Sequence, residues 1–147
     1  LARPHLHEFL AAAYQLYEII IWSATSMKWV ELKMRELGCL DHPAFKLTAL
    51  FDATAMITCE ARGYGVLDVK PLGVVWGLYP QFSAANTLMF DDLSRNFLMN
   101  PQSGLKIRPC RNMNVPAERD ADDELRRLAS YLDRISAVDD FRTLNHR

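Results

Sequence analysis

At 147 residues and 16.8 kDa, with 50% hydrophobic and 24% charged side chains, the sequence has the size and make-up of one globular domain with a sizeable core. That excludes a disordered, collagen-like or multidomain chain. The 17 basic residues against 18 acidic ones leave a formal net charge of -1, so no bulk attraction to nucleic acid or anionic lipid is implied and any handling of phosphate must be local. Residues 71–90 carry no charge over a length that could span a bilayer, but Pro71, Gly73, Gly77, Pro80, Gln81, Ser83 and Asn86 interrupt the run, which is not read as a membrane helix.

The chain opens at Leu1 with neither an initiator Met nor a signal-peptide pattern and enters helix-like sequence within three residues, so it reads as a piece of something longer. After Arg3-Pro4, the apolar residues Leu6, Phe9, Leu10, Ala13 and Tyr14 keep helical spacing, and the pattern predicts a helix over residues 4–14. Ile19–Trp22 is short, β-branched and uniformly apolar, which predicts a parallel strand covered on both faces. Residues 23–26 offer several caps for a helix through Val30, Met34 and Leu37 that Gly38 ends.

Residues 47–59 are consistent with one or two short strands, and Asp52 within them is assigned turn or strand-end duty. A turn at residues 63–65 precedes Lys70-Pro71 and a short helix carrying Leu72, Val75, Trp76 and Tyr79. A second buried strand is expected at residues 87–90, stopping at Asp91-Asp92. Turns then follow at residues 100–101 and 103–104, and a further short strand at residues 105–107. The last helix, residues 122–135, is expected to bury Leu125, Leu128, Leu132 and Ile135 and to pair Asp122 with Arg126 and Asp123 with Arg127.

Alternating short strands and amphipathic helices predict an α/β fold on an open, mainly parallel sheet, in which the carboxyl ends of the strands share one edge where ligands bind. Ser23 and the pair Asp91-Asp92 are placed at that edge. Two adjacent acids there suit a hard cation such as magnesium; alternatively Asp92 caps the next turn and Asp91 is solvated. Ser23 either bonds the amides of the next turn or donates to a phosphoryl oxygen, and Lys70 is either a solvated charge or a counter-charge to that group. Cys39, Cys59 and Cys110 form no CxxC pair, and His5, His7, His42 and His146 suggest no zinc site. The cysteine pattern argues for a reducing compartment. Lys106, Arg108 and Arg111 are read as a solvated basic patch, with guidance of a phosphopeptide as the other reading.

The segments Arg3-Pro-His-Leu-His-Glu-Phe-Leu10, Ile19-Ile-Ile-Trp-Ser-Ala-Thr-Ser-Met-Lys-Trp29, Val69-Lys-Pro-Leu72, Met89-Phe-Asp-Asp-Leu-Ser-Arg-Asn-Phe-Leu-Met-Asn-Pro101 and Ser103-Gly-Leu-Lys-Ile-Arg-Pro109 resemble, in order, the small CTD phosphatase branch of the haloacid dehalogenase superfamily. The resemblance implies a three-layer α/β/α fold of that type, here the C-terminal part of one phosphatase domain. It also implies a magnesium-dependent protein serine/threonine phosphatase. By it, Ser23 is the phosphate-binding hydroxyl of the second motif and Lys70 the lysine of the third. Asp92 is the preferred magnesium ligand of the fourth motif, and Asp91 organises metal-bound water or Lys70.

The family's first motif, DxDxT, is expected ahead of Arg3-Pro4 and does not occur in this sequence. Its first Asp would form an aspartyl-phosphate and its second would act as acid and base, so the isolated chain is expected to be inactive and to lack a central strand. The resemblance further implies nuclear action on phosphoserine or phosphothreonine in the RNA polymerase II C-terminal tail or in proteasome subunits. A noncatalytic phosphopeptide-binding or scaffold fragment is the alternative. A nucleotide-binding Rossmann domain is weaker, since no GxGxxG follows either strand.

Overall fold

A computed structural model describes residues 2–146. In chain order the elements are α1 (Leu6–Tyr14), β1 (Ile19–Trp22), α2 (Met27–Glu36), β2 (Leu47–Phe51), β3 (Ile57–Ala61), β4 (Gly65–Val69), α3 (Leu72–Leu78), β5 (Met89–Asp91), β6 (Gly104–Lys106), α4 (Pro116–Asp120) and α5 (Glu124–Ile135). This is the mixed α/β arrangement the alternating pattern calls for. The strands form three two-stranded pairs: β1 with β2 and β5 with β6 are parallel, and β3 with β4 is antiparallel. The chain divides into two compact units, one through Ala53 and again over Arg108–Ala137, the other over Thr54–Ile107 and from Val138 onward.

In the first unit α1 buries Phe9, Leu10 and Ala13 and packs with α5, which buries Leu125, Leu128, Leu132 and Ile135 at spacings of three and four. The Tyr17 hydroxyl ties the same two segments by donating to the Leu132 carbonyl at 2.6 Å. Strands β1 and β2 run in register from Ile20↔Ala49 to Trp22↔Phe51, with α2 as the crossover that a parallel pair requires. The four residues of β1 are half-buried rather than fully covered. Among the described residues β1 pairs with β2 alone. Helix α2 stops where expected: Gly38 takes a φ of 67°, the Cys39 N–H donates to Met34 O at 2.8 Å and the Gly38 N–H to Arg35 O at 2.9 Å. This double bond over a left-handed residue satisfies the last carbonyls of the helix.

The i,i+4 pairs expected in the last helix do not form. Helix α5 begins at Glu124, so Asp122 and Asp123 lie ahead of it and turn to other partners. Arg3 forks onto Asp122, Nε to Oδ1 at 3.1 Å and Nη2 to Oδ2 at 2.9 Å, with side chains only 12% and 15% exposed. Arg108 reaches Asp123 and bonds Glu124 Oε2 at 2.6 Å. Burial pushes the Asp122 carboxyl up, but the Arg3 guanidinium and the Glu124 amide outweigh it and hold it below its ordinary value. The Glu124 carboxyl is likewise raised by burial and lowered further by the Arg108 amide and guanidinium.

In the second unit Gly63 and Gly65, with φ of 84° and 72°, close the β3–β4 hairpin, in which Ile57 pairs with Val69 and Ala61 with Gly65. The 47–59 segment has thus resolved into two strands, β2 and β3. Asn100 Oδ1 accepts the Leu72 N–H at the start of α3 at 2.9 Å, and the Trp76 indole donates to Thr87 Oγ1 at 3.0 Å. Strand β5 starts two residues later than its apolar run suggests and includes Asp91, because Asp91 is registered against Lys106 of β6. Among the described residues no helix is long and apolar enough to cross a membrane. Cys39 is buried, Cys59 half-buried and Cys110 exposed, each a free thiol.

Two predictions follow from this packing. A Cβ at Gly104 would stand 2.1 Å from Cδ2 of buried Phe97, so Gly104→Ala should lower unfolding stability by about 1–3 kcal/mol in urea denaturation. An unchanged midpoint would refute that packing. Because the folded-state values of Asp122 and Glu124 are lowered, their stabilisation is complete above the unfolded values near ~4 and disappears as pH falls through the folded ones. The gap in urea midpoint between wild type and Asp122→Asn should therefore be clear at neutral pH and close in acid; a gap independent of pH would contradict the assignment.

Candidate functional site

Ser23 follows β1 directly and is half-buried. Its backbone N–H continues the parallel ladder one step past the strand, donating to Phe51 O at 2.9 Å. Its Oγ lies 2.9 Å from Thr25 Oγ1 and accepts the Thr25 N–H at 3.3 Å. On the other side of the loop, Ser26 stands at the N-cap position of α2 without a capping side-chain bond; the acceptor is Asp52 Oδ2, 2.9 Å from the Met27 N–H. The Ser23 hydroxyl therefore belongs to a loop whose turn bonds are made within it and whose helix end is capped from the neighbouring strand.

In the second unit Lys70 follows β4 and Asp91 ends β5, so each side chain leaves a strand at its carboxyl end. The structure brings these two together: Lys70 Nζ donates to Asp91 Oδ2 at 2.7 Å, with side chains 9% and 11% exposed. Asn96, 6% exposed in a 3-10 turn just past β5, donates from Nδ2 to the same oxygen at 2.8 Å, and the Leu93 N–H donates to Oδ1 at 2.9 Å. The Asn96 carbonyl in turn accepts the Lys70 backbone N–H at 2.9 Å. Burial pushes the Asp91 carboxyl up, and the Lys70 ammonium, the Leu93 amide and the Asn96 side chain together outweigh it and hold it below its ordinary value. The result is a charged pair with a fixed ammonium, able to offset negative charge on a bound group without reorganising.

Asp92 is exposed beside this network. With Asp91 engaged by three donors, the carboxylate facing solvent is that of Asp92. Among the described residues no group of three or more His, Cys, Asp and Glu is arranged to hold a metal ion. One exposed carboxylate fits magnesium, which takes one or two protein carboxylates and keeps several waters, better than it fits a fully protein-enclosed cation. Of the basic trio, Lys106, Arg108 and Arg111 are all exposed, and Arg108 is paired at the surface with Asp123 and Glu124.

Asn96 escaped the sequence reading because a lone Asn in a turn carries no spacing signal. Asp52, assigned turn or strand-end duty from the sequence, does lie directly after β2, where its carboxylate accepts the Met27 N–H.

The chain is thus mixed α/β with parallel strand pairs, a hydroxyl past a strand end in one unit and a buried lysine–aspartate pair past strand ends in the other. The model of the NLI interacting factor-like phosphatase family matches residues 1–142, and the chain belongs to that family. It is 55% identical over 148 residues to Ubiquitin-like domain-containing CTD phosphatase 1 of Danio rerio and of Homo sapiens, alignments that cover 100% of this chain and 46% of those proteins. It is 56% identical over 147 residues to Ubiquitin-like domain-containing CTD phosphatase of Arabidopsis thaliana, covering 99% of this chain and 43% of that one. The chain thus spans somewhat less than half the length of these relatives.

Removing the ammonium from so buried a pair leaves a carboxylate without its counter-charge. Lys70→Met should lower unfolding stability by about 3–5 kcal/mol, and the added change Asp91→Asn should recover part of that loss. Equal midpoints for wild type and Lys70→Met in chemical denaturation would show the pair to be dispensable.

Proposed function

We propose that this chain is the C-terminal part of a single phosphatase domain, a magnesium-dependent protein serine/threonine phosphatase with the three-layer α/β/α fold of the haloacid dehalogenase superfamily. The observation that carries the reading is the buried Lys70–Asp91 pair at strand ends, in a chain that the phosphatase family model matches over residues 1–142. In this reading the Ser23 hydroxyl donates a hydrogen bond to a non-bridging phosphoryl oxygen. Lys70, held by Asp91, offsets the charge that develops on the transferring group. The nucleophilic aspartate and the acid and base belong to a DxDxT segment upstream. The phosphorus–oxygen bond to the substrate serine breaks as the aspartyl-phosphate forms, and water then cleaves that intermediate. Asp92 would hold magnesium, whose chemistry is charge neutralisation on the phosphoryl oxygens.

The printed name of the relatives, CTD phosphatase, supports a phosphoprotein substrate. Within that class the proposed substrate is phosphoserine or phosphothreonine in the RNA polymerase II C-terminal tail, with nuclear action. Proteasome subunits are the other substrate of the same chemistry. The isolated chain is expected to be inactive, and a noncatalytic phosphopeptide-binding fragment is the competing outcome of the test.

The test is hydrolysis of a phosphoserine peptide by the full-length protein that contains this chain, with magnesium and with EDTA. Activity should require magnesium. Lys70→Ala should lower kcat/KM by about a hundredfold, and Asp92→Asn should lower turnover at limiting magnesium by about tenfold or more. Peptide binding without turnover in the full-length protein would establish the noncatalytic reading instead.

A further inference from the structure

Asp52 lies directly after β2 and is 8% exposed, a setting in which a carboxylate needs strong donors. Its Oδ2 accepts the N–H of Met27, the first residue of α2, at 2.9 Å, and its carbonyl accepts the Trp22 indole N–H at 3.2 Å. Two backbone bonds join the same stretches: the Ser23 N–H to Phe51 O at 2.9 Å and the Ala53 N–H to Thr25 O at 2.9 Å. Residues 23–26, the loop from β1 into α2, are therefore fastened to residues 51–53 before, within and after the loop. A helix start requires an acceptor for its first amides, and here that acceptor comes from 25 positions away along the chain rather than from the loop itself. The Ser23 hydroxyl bonds only to Thr25 among the contacts described, so the conformation of the loop decides where Oγ points.

We infer that Asp52 is a positioning residue for Ser23. The inference rests on the reading of Ser23 as the phosphate-binding hydroxyl. Asp52 touches no substrate in this role. By holding the first amide of α2 from the adjacent strand, its carboxylate fixes the path of the loop and with it the place of the hydroxyl beyond β1. A carboxylate serving only as a helix cap would stabilise the fold equally whatever residue stood at position 23. A positioning carboxylate acts on catalysis through the Ser23 hydroxyl and loses that influence when the hydroxyl is gone.

The experiment is a double-mutant cycle in the full-length protein, with a phosphoserine peptide as substrate and melting temperatures recorded for each variant. Asp52→Ala should lower kcat/KM by about tenfold or more when Ser23 is present, since small misplacements of a binding group weaken transition-state contacts steeply. In the Ser23→Ala background the same substitution should change kcat/KM by less than about twofold. Asp52→Asn, which keeps an acceptor oxygen for the Met27 amide, should recover most of the loss. Equal losses in both backgrounds overturn the inference and leave the role of Ser23 standing. Normal turnover by Ser23→Ala overturns the reading of Ser23, and the inference falls with it. Should Asp52→Ala fail to fold, the cycle is run with Asp52→Ser, which keeps a small polar group but withdraws it from the Met27 amide; additivity there is equally fatal.

Discussion

An ammonium and a carboxylate 2.7 Å apart and nearly removed from water impose conditions on everything around them. Their mutual attraction offsets the loss of hydration only if the remaining lone pairs are also met. The short turns after β5 meet that demand: the Leu93 amide takes one Asp91 oxygen, and the Asn96 amide shares the other with Lys70. Asn96 works from both its side chain and its backbone, since its carbonyl accepts the Lys70 N–H. One residue thereby ties the backbone of the cation to the side chain of the anion, and the orientation of the ammonium is settled before any ligand arrives.

The same economy of means recurs wherever a side chain with chemical potential leaves a strand. The Ser23 N–H bonds Phe51 O, the Lys70 N–H bonds Asn96 O and the Asp91 carbonyl accepts the Ile107 N–H at 3.1 Å. In each case the backbone of the residue itself is held by a neighbouring segment, so its side chain starts from a fixed point. For Ser23 and Asp91 parallel pairing suits this arrangement, because its evenly spaced bonds can run one residue past the formal end of a strand, whereas Lys70 follows a strand of the antiparallel pair and is held by the turn after β5. The positions read as chemical are those where regular structure has just ended and the backbone is still constrained.

Much of this was legible in the sequence where the signal is local. Helical spacing located α1, α2, α3 and α5, the run of three isoleucines located β1, and Gly38 located the end of α2. Helix α4 was overlooked although Pro116 at its first turn and Glu118 behind it are ordinary start signals; five residues are too few for a hydrophobic period to register. What periodicity could not reach was pairing over distance. Asp122 and Asp123 looked matched to Arg126 and Arg127 one turn on, but their partners are Arg3 and Arg108, because the helix starts too late to present those acids to its own side chains. The partnership of Lys70 with Asp91 joins residues 21 positions apart and was read only through resemblance; no local rule implies it.

Asp52 and Asp91 show why the pattern of an acid after an apolar strand does not by itself name a role. Asp91 faces an ammonium and so fixes a cation; the Asp52 carboxylate faces a backbone amide and so fixes a loop. The difference reaches into chemistry. The amino end of α2 carries partial positive charge that a bare loop could offer to an anion, but the Asp52 carboxylate already occupies the first amide and offsets that charge. In the role proposed for Ser23, its contribution to a phosphoryl group is therefore a hydroxyl's hydrogen bond and not a helix dipole. The charge of such a ligand must be balanced by a true cation, which is the part proposed for Lys70 and for magnesium.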